Sequence, residues 1–210
     1  MNNKFYISFN INNEQIEYAN KLVEYSLKHH PISNIWDKQK KERTRELRLT
    51  GTLGEVVFAD IYGLERPSRS FGAIDGQDYG KDFFLEALNA NIDVKSMRRK
   101  SNKFFKNYVL NIPARNIKRE DSITDFYYCI SLHNQNNILI ASLVGYINKK
   151  DILTGKIGKL YKRGTKRIRS NNTSFTFYED TYEILFQDIN SPVMNEEIYK
   201  KDGFKKHILN

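Results

Sequence analysis

The feature of this sequence that most constrains its fold is the alternation of apolar and charged residues at Ile92-Asp93-Val94-Lys95. Because the side chains of a β-strand alternate between its two faces, the two apolar residues are predicted to point into a core. Asp93 and Lys95 then emerge together on the opposite face. A carboxylate and an ammonium placed in this way can hold a divalent metal ion and a phosphate side by side.

A second apolar run, Phe83-Phe84-Leu85, begins directly after Asp82. A short turn near Asn89-Ala90-Asn91 is predicted to join this run to the strand of Asp93 as a pair of neighbouring strands. Asp82 is then expected to lie beside Asp93. It is preferred over two other carboxylates because an apolar strand follows it directly. Those two carboxylates are Asp75 and Asp78.

Two helices are predicted ahead of these strands. The first begins at Asn12 or Asn13 and continues to about Lys28. The second runs from about Lys41 to Ile61, with Gly63 as its C-cap.

The second helix contains the segment Gly51-Thr52-Leu53-Gly54-Glu55. A glycine inside a helix costs about 1 kcal/mol relative to alanine, which indicates that this helix passes close to another backbone. Glu55 beside the small residues is predicted to be a third carboxylate next to the two strands. The alternative is an ordinary exposed glutamate.

Asp82 followed by Asp93-Val94-Lys95, behind a G-x-x-G-E helix, resembles the PD-(D/E)XK signature of the restriction-endonuclease-like nucleases. Lys81 stands where the proline of that name would be. The resemblance covers roughly residues 45–148. It implies an α/β fold with a restriction-endonuclease-like core, in which a central mixed β-sheet is flanked by helices.

The resemblance also implies an activity and a set of site residues. The expected activity is Mg²⁺-dependent, site-specific hydrolysis of duplex DNA by a type II restriction-like homodimer, with Mn²⁺ as a substitute ion. The metal would be bound by Asp82, Asp93, Glu55 and the carbonyl oxygen of Val94. Lys95 would orient the attacking water and stabilise the charge that develops on the phosphate.

Basic residues are concentrated in two windows of the sequence, Lys95–Arg119 and Ile152–Tyr178. Together the windows hold nearly half of the 34 Lys and Arg residues and none of the 25 Asp and Glu residues. This segregation is typical of a protein that binds a polyanion along one surface, and the alternative is a pair of solvated basic loops. The predicted DNA contacts are Arg98, Arg99, Lys100, Lys103, Lys162, Arg163, Lys166, Arg167 and Arg169.

Other classes of protein are disfavoured by what the sequence lacks. Cys129 is the only cysteine, so an intrachain disulfide is impossible and a Cys-based zinc site is disfavoured. No apolar run approaches the roughly 20 residues of a membrane helix, and no secretory signal is visible. Walker, Rossmann and G-x-S-x-G motifs are also missing. A reducing, cytoplasmic setting is expected, and the high Asn, Lys and Ile content indicates a bacterial or phage genome.

The 210 residues are expected to form one domain. Its parts would be an N-terminal helical region (1–40), a catalytic core (41–150) and a basic, DNA-contacting C-terminal region (151–210). Further strands are predicted at Tyr108–Pro113, Asp125–Leu132 and Ile138–Tyr146, of which the last is covered on both faces. The tail from Ser191 onward is expected to be peripheral.

Three alternative functions remain open at this point. A Holliday-junction resolvase or repair nuclease of the same fold would share the active site, and a non-catalytic nucleic-acid-binding protein would use only the basic windows. An RNA-binding or RNA-cleaving protein is the third alternative. It is favoured by Phe104, Phe105 and Tyr161, which lie among basic residues and can stack on single-stranded bases.

Overall fold

The structure is a computed structural model that describes residues 3–29, 38–68, 81–102, 104–168 and 174–209. Its helices are α1 (Asn13–His29), α2 (Lys38–Tyr62), α3 (Ala114–Ile117) and α4 (Lys149–Leu153). Its strands are β1 (Phe5–Asn10), β2 (Phe83–Leu85), β3 (Ala90–Arg98), β4 (Val109–Pro113), β5 (Phe126–Gln135), β6 (Ile138–Asn148), β7 (Lys159–Tyr161), β8 (Lys166–Ile168), β9 (Ser174–Thr176), β10 (Thr181–Leu185) and β11 (Lys205–Ile208).

Both long helices begin or end with the local signals that the sequence predicts. At the start of α1, Gln15 N–H donates to Asn12 Oδ1 at 2.9 Å and Asn12 N–H donates to Gln15 Oε1 at 3.0 Å, which is a capping box. At the end of α2, Gly63 has a φ of 67° and Leu64 N–H donates to the carbonyl of Ala59.

No helix among the described residues is long and apolar enough to cross a membrane.

The central sheet has six strands in the order β11-β1-β6-β5-β3-β2. Strands β3 and β5 are parallel, and the other neighbouring pairs are antiparallel. The α/β class with a mixed central sheet, predicted from the sequence, is therefore confirmed. A hairpin joins β5 and β6, and it turns at Asn136 and Asn137, whose φ values are 50° and 63°.

Two hydrophobic cores lie on opposite faces of this sheet. On one face, α1 and α2 cover Ile92 and Val94 of β3 together with Ile7 of β1. On the other face, Tyr127 of β5 packs with residues of a second, three-stranded sheet in the order β4-β10-β7. The strand predicted at Tyr108–Pro113 thus belongs to this second sheet and not to the central one.

The expectation that the tail is peripheral is wrong. Strand β11 pairs with β1 at the edge of the central sheet, and Ile198 is fully buried in the helix-covered core. The backbone of Val193 is also bonded to two buried tyrosines: its carbonyl accepts from Tyr62 Oη at 2.9 Å, and its N–H donates to Tyr128 Oη at 3.0 Å. The same two hydroxyls are bonded to each other, so α2, β5 and the tail are joined at one point.

Candidate active site

The hairpin formed by β2 and β3 brings Asp82 to the edge of β3. Asp82 N–H donates to the carbonyl of Ile92 at 2.8 Å, and Val94 N–H donates to Asp82 Oδ2 at 2.7 Å. Strand β2 has only three residues and does not extend to a position opposite Val94. The Asp82 carboxylate therefore accepts the hydrogen bond that the Val94 N–H would otherwise donate to a neighbouring strand. The N–H and C=O of a strand residue point to the same side, so the Val94 carbonyl also points to this edge.

The side chains of β3 alternate as the sequence predicts. Ile92 and Val94 are buried in the core under the helices. Asp93 and Lys95 lie on the other face, where Lys95 Nζ donates to Asp93 Oδ1. The Asp93 side chain is 10% exposed and that of Lys95 is 26% exposed, so this ion pair is shielded from bulk water.

The charge on Lys95 is set by its neighbours. Burial lowers the pKa of Lys95, but the carboxylates of Asp93, Asp82 and Glu55 raise it, and the net direction is upward. The ammonium is therefore retained at neutral pH. The three carboxylates that raise this pKa are the three that the sequence singles out.

Strand β5 supplies the neighbours of the site on the other side of β3. Tyr127 lies opposite Asp93 and Cys129 opposite Lys95 in the parallel register. Lys95 Nζ is 5.8 Å from the centre of the Tyr127 ring. Burial and the charge of Asp93 raise the pKa of Tyr127, and burial raises the pKa of the Cys129 thiol to about 12. Sequence analysis missed both contacts, because no local signal identifies β5 as the parallel neighbour of β3.

Gly54 brings α2, the helix that carries Glu55, close to β3. A Cβ atom at Gly54 would lie 1.6 Å from Ser96 Oγ on β3, whereas one at Gly51 would meet nothing within 4 Å. The predicted close approach of the helix is therefore confirmed at Gly54 and not at Gly51. Glu55 follows directly and is half-buried.

The donor set fits a magnesium ion in its chemistry. Asp82 and Asp93 offer carboxylate oxygens and Val94 a carbonyl oxygen, and Mg²⁺ prefers such ligands, using one or two carboxylates and several waters. In the part of the chain that the structure describes, no group of three or more His, Cys, Asp or Glu residues could hold a metal ion. The fit therefore rests on two carboxylates and one carbonyl. Asp75 and Asp78, the alternatives to Asp82, lie outside the described residues.

The basic residues that follow Lys95 differ in their exposure. Arg98 and Lys100 are exposed. Arg99 turns inward: its guanidinium donates to the carbonyl of Val109 at 2.8 Å and lies 4.5 Å from the centre of the Tyr108 ring. Burial lowers the pKa of Arg99, and this placement favours a packing role over the predicted phosphate contact. Lys103 lies outside the described residues.

Acidic side chains, which sequence analysis missed, accompany the second basic window. Lys162 Nζ is 2.8 Å from Asp180 Oδ2, and a nitrogen of Arg167 is 2.7 Å from a carboxylate oxygen of Glu183. Both acids follow the window in the sequence. Asp180 directly precedes β10 and Glu183 lies on β10, which pairs with β7 of the window. Lys162, Arg163 and Lys166 are nevertheless exposed, whereas Arg167 is half-buried. Arg169 lies outside the described residues.

The aromatic residues predicted to stack on single-stranded bases are mostly engaged within the protein. The Phe104 ring stacks on Tyr6 with centroids 3.9 Å apart, and the Tyr161 ring stacks on Phe177 at 4.9 Å. Phe105 is exposed. This arrangement reduces the support for an RNA-binding surface.

The candidate site lies beside the edge strand β2. Two cavities of the described structure, one over β1 and one beside α2, are lined by none of Asp82, Asp93 and Lys95. Comparison of the chain with models of protein families, with curated proteins and with solved structures gives no match.

Proposed function

We propose that this chain is a Mg²⁺-dependent endonuclease with a restriction-endonuclease-like core, and that it hydrolyses phosphodiester bonds of duplex DNA. The observation that carries the proposal is the placement of the Asp82 carboxylate on the backbone N–H of Val94, between Asp93 and Lys95, which form an ion pair with each other. The charges of Asp93, Asp82 and Glu55 all raise the pKa of Lys95. Three different parts of the fold supply these groups: Glu55 lies on α2, Asp82 directly precedes β2, and Asp93 lies within β3. A structural salt bridge needs only one carboxylate for one lysine.

In the proposed reaction, the chain positions oxygen donors and one cation around the phosphate. Asp82, Asp93 and the Val94 carbonyl would hold the metal, and Glu55 would hold a water molecule bound to it. When bound, Mg²⁺ supplies Lewis acidity to the phosphoryl group and lowers the pKa of a water molecule. Lys95 keeps its proton, so it can donate a hydrogen bond to the attacking water or to a phosphate oxygen, and its charge opposes the negative charge that develops.

The exposed basic residues support a polyanionic substrate. Arg98 and Lys100 lie at the end of the strand that carries Asp93 and Lys95, and Lys162, Arg163 and Lys166 lie on the second window. Neutralisation of phosphates by such residues supplies affinity without sequence preference. A homodimer, in which each subunit cuts one strand, and site specificity of the type II restriction kind also belong to the proposal. So does an intracellular setting in a bacterium or phage.

The test is cleavage of a panel of plasmid and phage DNA with Mg²⁺ and with EDTA. Asp82→Asn and Asp125→Asn are matched variants, because both carboxylates accept a backbone N–H of β3, from Val94 and Asn91 respectively. Asparagine retains one acceptor oxygen for the backbone N–H, removes the charge and puts an NH₂ donor in place of the other oxygen. We expect Asp82→Asn and Lys95→Ala to lose at least about a hundredfold in rate. Asp125→Asn should cut like the wild type.

Discrete fragments that need Mg²⁺ and that disappear only in the two site variants would support the proposal and would expose the target. Equal cleavage by all variants would show that the proposed residues do not carry the activity. DNA binding without cleavage, equal in wild type and variants, would favour the non-catalytic binding protein. Competition experiments with duplex DNA, branched DNA and RNA distinguish the three substrates. The best competitor would be duplex DNA for a restriction-like enzyme, branched DNA for a junction resolvase and RNA for an RNA-directed protein.

A further inference from the structure

One half of the central sheet has an unusually polar face. On β1, Ile7 and Phe9 point into the core under the helices, whereas Tyr6, Ser8 and Asn10 alternate to the other face. In the sheet register, Ser8 lies opposite Ser142 of β6, and Ser142 lies opposite Ser131 of β5. The result is a row of serines across three strands, where a covered sheet face ordinarily carries apolar side chains.

A cavity of about 350 Å³ lies over this polar face. Its polar lining includes Ser8, Asn10, His133, Gln135, Ser142 and His207. Ser142 is 0% exposed and His133 is 5% exposed. Within the described residues, Ser142 Oγ and His133 Nδ1 nevertheless have no hydrogen-bond partner. Because buried polar groups are almost always paired, two such atoms in one cavity indicate a missing hydrogen-bonding partner.

The charge of the cavity favours an uncharged occupant. The described residues that line the cavity include no carboxylate, and Lys205 is the only Lys or Arg among them. Burial lowers the pKa of His133, as does nearby His207; burial and nearby Lys205 lower the pKa of His207. Both imidazoles are therefore neutral at neutral pH, and each can donate at one nitrogen and accept at the other.

One wall of the cavity is a stack of flat rings. The ring of Tyr6 lies between Phe104 and His207, with centroid distances of 3.9 Å and 4.5 Å and interplanar angles of 15° and 12°. All three residues line the cavity. The neighbouring rings cover both faces of Tyr6, and Phe104 also stacks on Phe186. The stack is therefore an apolar wall beside a hydrogen-bonding floor, which suits a flat molecule that is polar at its edge.

We propose that this cavity binds a nucleobase. A base is planar and uncharged and carries adjacent donors and acceptors at its edge, which asparagine, glutamine and serine side chains can match. The cavity volume lies in the range of small-ligand sites. Among the described lining residues a phosphate would meet one lysine, and a metal ion would meet two histidines, of which His207 Nε2 is already 2.8 Å from Ser8 Oγ. The cavity shares no residue with the candidate active site, so this inference does not depend on the proposed nuclease activity.

The experiment is titration of the full chain with adenosine, guanosine, cytidine and thymidine, followed by calorimetry and by the ring signals of the histidines in NMR spectra. Ribose and inorganic phosphate serve as ligands that lack a base. Ser142→Ala is the diagnostic variant, because its hydroxyl has no partner in the described structure and its removal should leave the fold intact or more stable. Ser131→Ala is the matched control, since Ser131 lies opposite Ser142 in the sheet but does not line the cavity.

We expect saturable binding of at least one nucleoside, about three- to tenfold weaker in Ser142→Ala and unchanged in Ser131→Ala. An oligonucleotide hairpin with one unpaired base, used as a competitor, distinguishes a base within a nucleic acid from a free nucleoside. The proposal would be overturned if no nucleoside saturates the protein at concentrations up to about 10 mM, because specific binding ordinarily has a lower dissociation constant. Binding of phosphate or ribose alone, or equal effects of the two serine variants, would also overturn it.

Discussion

Gly54 of α2 faces Ser96 of β3 so closely that a Cβ atom on the glycine would lie 1.6 Å from the serine Oγ. Ser96 is the residue that follows Lys95, so this contact sets the distance between the helix of Glu55 and the strand of the candidate site. A side chain of any size at position 54 must push one of these two elements away.

Alanine at the two glycines of α2 should therefore have opposite effects on stability. Gly54→Ala should lower the free energy of unfolding by about 1–3 kcal/mol, because it overpacks the contact with Ser96. Gly51→Ala should raise it by up to about 1 kcal/mol, since a Cβ there meets nothing within 4 Å and alanine favours the helix. Urea denaturation measures both changes. Adding Ser96→Gly to Gly54→Ala should restore stability, and equal effects of the two alanines would contradict the prediction.

The bonded hydroxyls of Tyr62 and Tyr128 should contribute to stability. Tyr128→Phe removes the acceptor of the Val193 N–H and a partner of Tyr62 Oη. We expect a loss of about 1–3 kcal/mol in the free energy of unfolding, because buried polar groups lose their partners. Tyr178→Phe is the control, since this ring is 86% exposed, and it should change stability by less than about 0.5 kcal/mol. If both variants have the same urea midpoint, the tail is not held through these bonds.

Stability should decrease in mild acid because of His133 and His207. Their pKa values in the folded protein lie below the ordinary value of 6.5, so the unfolded chain binds protons first as the pH falls. The contribution is fully present above pH 6.5 and is lost as the pH falls through the lowered pKa values. Melting temperatures measured from about pH 7 to about pH 5 should decrease less steeply in His133→Gln than in the wild type. Parallel curves would exclude His133 as a source of the acid sensitivity.

Two residues of the second basic window, the exposed Lys166 and the ion-paired Arg167, should differ in their effects on DNA binding and on stability. Lys166→Ala should reduce the slope of log affinity against log salt by about 0.9 if this exposed lysine neutralises one phosphate, and it should leave stability unchanged. Arg167→Ala should instead lower stability, by about 1–3 kcal/mol, because Glu183, whose side chain is 7% exposed, would lose its partner. Fluorescence anisotropy across a KCl series and urea denaturation measure the two effects. The reverse pattern would assign the DNA contact to Arg167.

Short-range signals in the sequence predicted much of what surrounds the candidate site. The alternation at Ile92-Asp93-Val94-Lys95 gave the correct face for each side chain, because burial of one face of a strand fixes its period. The start of α1 and the end of α2 followed from Asn12 and Gly63, whose effects are confined to one helical turn.

Long-range pairing could not be predicted in the same way. The sequence around Lys205–Ile208 contains no signal that it pairs with Phe5–Ser8, because the strength of a strand pair depends on neighbours that only the folded chain brings together. The same reason applies to Asp180 and Glu183. Both lie outside the basic window in the sequence, but in the fold they form ion pairs with Lys162 and Arg167 of the window. The inward packing of Arg99 could not be predicted either, because an arginine can lie over aromatic rings as readily as on a phosphate.

The burial of Cys129 gives the protein an internal chemical reporter. This single thiol lies opposite Lys95 on β5, is 0% exposed, and has a pKa raised to about 12. Because the thiolate is the reactive form, a thiol reagent can modify Cys129 only after β5 has separated locally from its neighbours. The rate of modification therefore measures how often the sheet opens beside the candidate catalytic lysine, without any label having to be introduced.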